Sequence, residues 1–151
     1  MSPSIFTIKS WQTLSFRGNL TPNYTKYTGI GTFTISKKCN LKGNCMSMLF
    51  GDNAANNYSL NGYNYAFYRL FQGCTAIRNV SKNFLPARVL SSNCYYYMFY
   101  QCSNLITAPD LPATTLAGSC YYSMFRDCIN LLIAPDLPAT TLQSYCYYGM
   151  F

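Results

Sequence analysis

The sequence predicts a mixed α/β repeat solenoid, with a short strand and a short helix in each 26-residue unit and a small β-rich lead-in before the array. Three observations lead there. The stretch Cys94 to Leu116, CYYYMFYQCSNLITAPDLPATTL, returns at Cys120 to Leu142 as CYYSMFRDCINLLIAPDLPATTL, and a third copy opens at Cys146. The same helix-breaking segment, Ala-Pro-Asp-Leu-Pro, stands at the same place in both copies. Ahead of the copies, short runs alternate apolar and polar residues, as half-buried strands do.

Those alternating runs are Ser4 to Lys9, Thr13 to Arg17 and Gly31 to Ser36, with turns at Gly18-Asn19, Thr21-Pro22-Asn23 and Gly29. They divide the chain into a β-rich N-terminal segment or cap over residues 1–38 and the repeat array over 39–151. Trp11 reads as a core residue of the lead-in in preference to a ligand platform. Within the array the pattern decays toward the N-terminus. Ala66 to Cys74 aligns with Cys94 to Cys102, and Leu85 to Leu90 with Leu111 to Leu116; two extra residues at Ser81 to Asn83 lengthen this spacing to 28. Further back, Leu41 to Phe50 keeps Leu, Cys and Leu-Phe at the spacing of Leu116, Cys120 and Met124-Phe125. The array is thus two degenerate units, two regular ones and a stub, and is expected to belong to a longer protein.

Inside a unit, Leu116, Cys120, Met124 and Cys128 recur every four residues, with Phe125 beside them. On a helix they form one apolar face, with Tyr121 at its border and Tyr122 opposite. Tyr96, Tyr122 and Tyr148 are then repeated outward. Leu131 to Ala134, bounded by Pro135, suits a short strand, and Thr114-Thr115 and Thr140-Thr141 stand where a helix N-cap is wanted. Asp110 and Asp136, each after a proline, suit turn residues that bond their own backbone, or contacts for a partner.

Composition removes several functional classes. Only 10% of residues are charged, histidine is absent, and the four acidic residues are all aspartates, so general acid-base and metal chemistry lack their usual donors. No enzyme activity, cofactor or metal site is expected. The formal charge of +7 is dispersed apart from Lys37, Lys38 and Lys42, which argues for a solvated face and against nucleic-acid binding. No stretch of 18 apolar residues occurs, and the first residues lack a signal-peptide pattern, so membrane insertion is not expected. The eight cysteines include no C-x-x-C pair, and Cys94, Cys120 and Cys146 recur once per unit. This favours reduced core thiols over disulfides or zinc, with links between adjacent copies feasible only if the copies stand at strand spacing, about 4.8 Å.

Met-Phe-x-x-Cys-x-x-Leu-x-x-Ala followed by Leu-Pro, in Met98 to Pro112 and Met124 to Pro138, resembles the BspA-like leucine-rich repeat of bacterial surface proteins. The variant with Cys-Tyr-x-x-Met-Phe is similar to repeats in proteins of gut Bacteroidales and their phages. The resemblance covers residues 39–151. Its unit is longer than the family's usual one, and Ala108 and Ala134 replace a larger aliphatic residue. The resemblance implies a leucine-rich-repeat-like, surface-exposed module for adhesion and for recognising a protein or glycan on a host or neighbouring cell, at the cell surface or outside it. The alternative is a structural spacer or receptor-binding part of a phage fibre or other virion protein. Tyr96, Tyr122 and Tyr148 are the candidate binding residues, set against the plainer reading that tyrosines pack between units with their hydroxyls at the rim.

Overall fold

The computed structural model of the chain describes residues 32–151. Ser4 to Lys9, Thr13 to Arg17 and Trp11 lie outside the described residues. From Thr32 to Ser36 no strand is assigned, although the N–H of Phe33 donates to Leu70 O at 2.7 Å.

Regular elements are few: strand β1 (Cys39–Leu41), helix α1 (Ser47–Phe50), a 3-10 helix over Gly51–Asn56, strand β2 (Ile77–Val80) and a second 3-10 helix over Lys82–Phe84. β1 and β2 are parallel, with Cys39 opposite Ile77 and Leu41 opposite Val80. Single parallel bridges carry this row onward from Asn79 to Thr107 and from Thr107 to Ile133, within the stretch expected to be extended. A second row links Ser59, Val89 and Thr115. Leu41 therefore stands with Val80, not at the position of Leu116, so Leu41 to Phe50 is not the unit its spacing suggests. The two extra residues near Ser81 are absorbed in the Lys82–Phe84 turn, whose Phe84 is buried against Phe71.

The helix expected from Leu116 to Cys128 does not form. Residues 92–101, 118–127 and 144–149 are instead continuous ribbons of turns, and so are residues 64–73. Every fourth residue has positive φ: Tyr65, Arg69 and Gly73; Asn93, Tyr97 and Gln101; Ser119, Ser123 and Asp127; Tyr145 and Gly149. None is β-branched, the class most penalised there. The apolar spacing of four thus has its own cause, a four-residue conformational period in place of the 3.6 of a helix.

Hydrogen bonding along a ribbon alternates. In the 92–101 ribbon the N–H groups of Tyr96, Met98 and Tyr100 donate to carbonyls three residues back, at Asn93, Tyr95 and Tyr97. Those of Tyr95, Tyr97 and Phe99 donate forward to Cys120, Tyr122 and Met124, one copy on. Carbonyls follow the complementary rule, so from Asn93 to Tyr100 every backbone N–H and carbonyl is paired, as a buried segment requires. Thr114 and Thr115 cap no helix; both N–H groups donate to Arg88 O, and Thr115 forms the Val89 bridge. Asp110 and Asp136 are exposed, and neither carboxylate bonds its own backbone; it is the Asp110 N–H that donates, to Lys82 O.

Each four-residue period turns two side chains inward. Cys94, Met98 and Cys102 are buried, and so are Tyr95 and Phe99 next to them. Tyr121, expected at a border, is fully buried because the inward pair in a ribbon is consecutive. Stacked copies place like on like. Phe33, Phe71, Phe99, Phe125 and Phe151 form one column with centroids 5.5 to 6.0 Å apart, and Phe67, Tyr95, Tyr121 and Tyr147 a second at 5.6 to 5.7 Å. Cys74, Cys102 and Cys128 donate their thiols to the carbonyls of Phe33, Phe71 and Phe99, and the side-chain amides of Asn104 and Asn130 donate to Thr75 O and Ser103 O.

Phe125 is 1% exposed and its equivalent Phe151 is 57% exposed. Phe125→Ala is expected to cost about 3–5 kcal/mol in urea denaturation and Phe151→Ala well under half as much. The Tyr95 hydroxyl is buried without a hydrogen-bond partner, and Phe67 fills the same column position without one. Tyr95→Phe should therefore leave the free energy of unfolding in urea unchanged or raise it by up to about 1 kcal/mol.

Candidate functional site

Outward positions of the ribbons carry a third aromatic column. Tyr68, Tyr96, Tyr122 and Tyr148 follow one another with centroids 5.3, 4.6 and 4.9 Å apart. The structure thus places the three tyrosines singled out in the sequence side by side and adds Tyr68, whose place is signalled by the alignment of Ala66 to Cys74 with Cys94 to Cys102. Tyr96 and Tyr122 are half-buried, and Tyr148 is exposed.

Further tyrosines widen the row. Tyr97 lies 4.5 Å from Tyr96 and 4.7 Å from Tyr100, while Tyr65 and Tyr145 meet Tyr68 and Tyr148 edge-on. Tyr65, Tyr97 and Tyr145 occupy positive-φ positions, which a helical reading of the repeat does not single out. The Arg69 guanidinium sits over the Tyr68 ring at 4.9 Å and the Tyr97 ring at 5.3 Å, a cation held by two π faces. Desolvation, then the Tyr97 and Tyr122 phenols, push the Tyr96 hydroxyl up to about 12; Tyr122 is raised by desolvation and then by the Tyr148 and Tyr97 phenols. These phenols stay neutral at physiological pH, able both to donate and to accept.

The column's geometry limits its chemistry. Successive rings cover one another's faces, so the rings of Tyr96 and Tyr122 offer edges and hydroxyls sideways. A second polar row runs along the strand side. Thr107 Oγ1 donates to Asn79 Oδ1, and Asn79 Nδ2 donates to Asn40 Oδ1. Beside it is an open hollow of ≈ 400 Å³ lined by Lys38, Asn40, Arg78, Asn79 and Ile106. The Lys37-Lys38-Lys42 cluster brings only Lys38 to it.

All eight cysteines are free thiols, seven of them buried. Burial pushes Cys120 up to about 11 and Cys128 up to about 12, and raises Cys45, Cys94 and Cys102 well above the ordinary 9.0, the opposite of an activated nucleophile. The Cys45 thiol lies close enough to the Tyr95 hydroxyl for each to perturb the other, without the alignment of a full hydrogen bond. Among the described residues no three of His, Cys, Asp or Glu are grouped to hold a metal ion, and no helix is long and apolar enough to cross a membrane.

Neither family models, curated proteins nor solved structures yield a match to the chain.

The raised thiols and phenols hold their protons more tightly folded than unfolded. Their contribution to stability is therefore complete below the unfolded values, 9.0 for thiols and 10.0 for phenols, and is lost as pH rises through the folded ones. The urea midpoint should hold between neutrality and pH 9, then fall steadily toward pH 12. Thiol reagent at pH 8 should react with all eight cysteines in denaturant and with few in the native state. A midpoint that stays flat to pH 12 would contradict the assignment.

Proposed function

We propose that this chain is a leucine-rich-repeat-like solenoid that serves as a surface-exposed binding module, recognising a protein or a glycan and supporting adhesion at a cell surface or outside the cell. One observation carries the reading: the outward column Tyr68, Tyr96, Tyr122, Tyr148, with Arg69 set into its flank. Tyrosine gives large contact area while freezing few rotamers, and a stack that already holds its rings in place lowers the entropy lost on binding. Because the ring faces are occupied by one another, recognition is expected through hydroxyls and ring edges, with the ligand lying along the row.

The resemblance to BspA-like repeats points the same way and assigns the partner to a host or neighbouring cell. The same stacked columns also favour a second reading, a stiff spacer or receptor-binding segment of a phage fibre or other virion protein. Continuous backbone pairing and three aromatic columns running through every copy make a rod whose length scales with copy number.

The two readings separate on the tyrosines. The purified chain is expected to bind selected glycans on an array, or host cells, with Tyr122→Ala lowering affinity at least tenfold, the loss of about 1.4 kcal/mol. Binding that survives Tyr122→Ala and Tyr96→Ala removes the column from the reading. No binding at all leaves the spacer.

A further inference from the structure

A hollow on the strand side gathers hydrogen-bond donors and no negative charge. β1 and β2 pair Cys39 with Ile77 and Asn40 with Asn79, so Arg78 is an extra residue with no partner across the sheet. A regular strand sends neighbouring side chains to opposite faces, and an extra residue re-aims them. Arg78 and Asn79 accordingly line the same open hollow of ≈ 400 Å³, together with Lys38, Cys39, Asn40 and Ile106. No carboxylate lines it. The polar row beside the two cations is directional: the Thr107 hydroxyl donates to Asn79 Oδ1, and Asn79 Nδ2 donates to Asn40 Oδ1. Asn40 thus has its carbonyl oxygen occupied and its amide donor without an acceptor among the described residues. The repeat does not impose this chemistry. Arg78 O accepts the Ile106 N–H and Ile106 O accepts the Leu132 N–H, so the position that holds arginine here holds isoleucine and then leucine in the copies that follow. Asn79 is likewise followed by Thr107 and then Ile133.

We propose that this hollow is a binding site for a carboxylate-bearing sugar chain, separate from the tyrosine column. Lys38 and Arg78 take the carboxylate, the guanidinium by its paired N–H donors and the ammonium as a point charge. Asn40 Nδ2 supplies a further donor to the same group. Beyond it, Asn79 and Thr107 present neutral amide and hydroxyl groups to sugar hydroxyls, and Ile106 meets the carbon-bound hydrogens of a ring. Two cations beside a neutral polar row suit isolated negative charges on a polyhydroxylated chain. A nucleic-acid backbone, charged at every step, calls for a longer basic track than Lys38 and Arg78 provide. The site shares no residue with Tyr68, Tyr96, Tyr122 and Tyr148, so it stands or falls without that column.

The test titrates the full chain with trigalacturonate, with its fully methyl-esterified form and with inorganic phosphate, read by backbone-amide NMR shifts. Trigalacturonate should shift Asn40, Arg78, Asn79 and Ile106 most, and esterification, which removes the charge and keeps the rings, should weaken binding about tenfold or more. Arg78→Ile installs the residue that the next copy carries at this position and should lower affinity by about tenfold. Lys38 is exposed, so Lys38→Gln reads the site with the fold intact and should lower affinity about threefold or more. Lys37→Gln and Lys42→Gln remove the same charge from residues that do not line the hollow, and at physiological salt should change affinity less than about twofold. Equal losses from the Lys37 and Lys38 variants would reduce the effect to diffuse charge and overturn the site, as would equal binding of the ester or no binding of trigalacturonate. Phosphate bound as tightly as the trimer would overturn the sugar assignment. Shifts centred on Tyr96 and Tyr122 would place the trimer on the column and overturn the hollow alone.

Discussion

The hydrogen bond from every second ribbon amide to the next copy is the interaction on which the rest depends. It fixes the distance between copies at strand spacing, and at that spacing identical side chains must stack. The aromatic columns, the thiol-to-carbonyl contacts and the asparagine amides at the corners are consequences of that spacing. The alternation is costly in one respect, since one residue in four sits in the left-handed region at roughly 1–2 kcal/mol. Each period also buries two side chains, one of them aromatic in most cases, at about 1.5–3 kcal/mol apiece. Burial outweighs strain, but only when a neighbouring copy is present to complete it.

The same geometry decides what the surface can offer. An isolated surface tyrosine presents a face, an edge and a hydroxyl. In the outer column the faces are spent on one another, and Arg69 takes up ring surface at the flank. What is left is a row of neutral hydroxyls at regular intervals, supported by a column that has little freedom to rearrange. The strand side presents a comparable row of amide and hydroxyl groups through Asn40, Asn79 and Thr107. Both faces repeat at the step between copies, so either is suited to a partner that is itself extended.

Much of this was legible in the sequence, and the misses share a cause. Cys120, Met124, Phe125 and Cys128 are inward as their spacing indicates, and Tyr96, Tyr122 and Tyr148 are outward. Tyr121 departs from expectation because on a helix of 3.6 residues per turn the neighbour of a buried residue swings aside, whereas a four-residue period turns both Cys120 and Tyr121 inward. A spacing that never slips to three is itself the sign of a four-residue period. The pattern is visible in Asn93-Cys-Tyr-Tyr-Tyr-Met-Phe-Tyr-Gln101, where a permissive residue, a buried small or sulfur-bearing residue, a buried ring and an outward residue follow in turn. What no local pattern announces is the forward direction of the alternate amides, because their acceptors lie in the next copy. Leu41 departs from its spacing for a related reason: its register is set by Val80, 39 residues on.

The Lys82–Phe84 turn has a consequence for how such an array can change. It admits two residues beyond the regular unit while the ribbons on either side keep their pairing. An added residue inside a ribbon would instead reverse donors and acceptors for everything after it. The proline-bearing corner therefore works as an expansion joint, and the ribbon as a ruled track. Variation by descent should collect at that corner, or arrive as whole units, and a designer wishing to graft a loop onto this scaffold has the same place to put it.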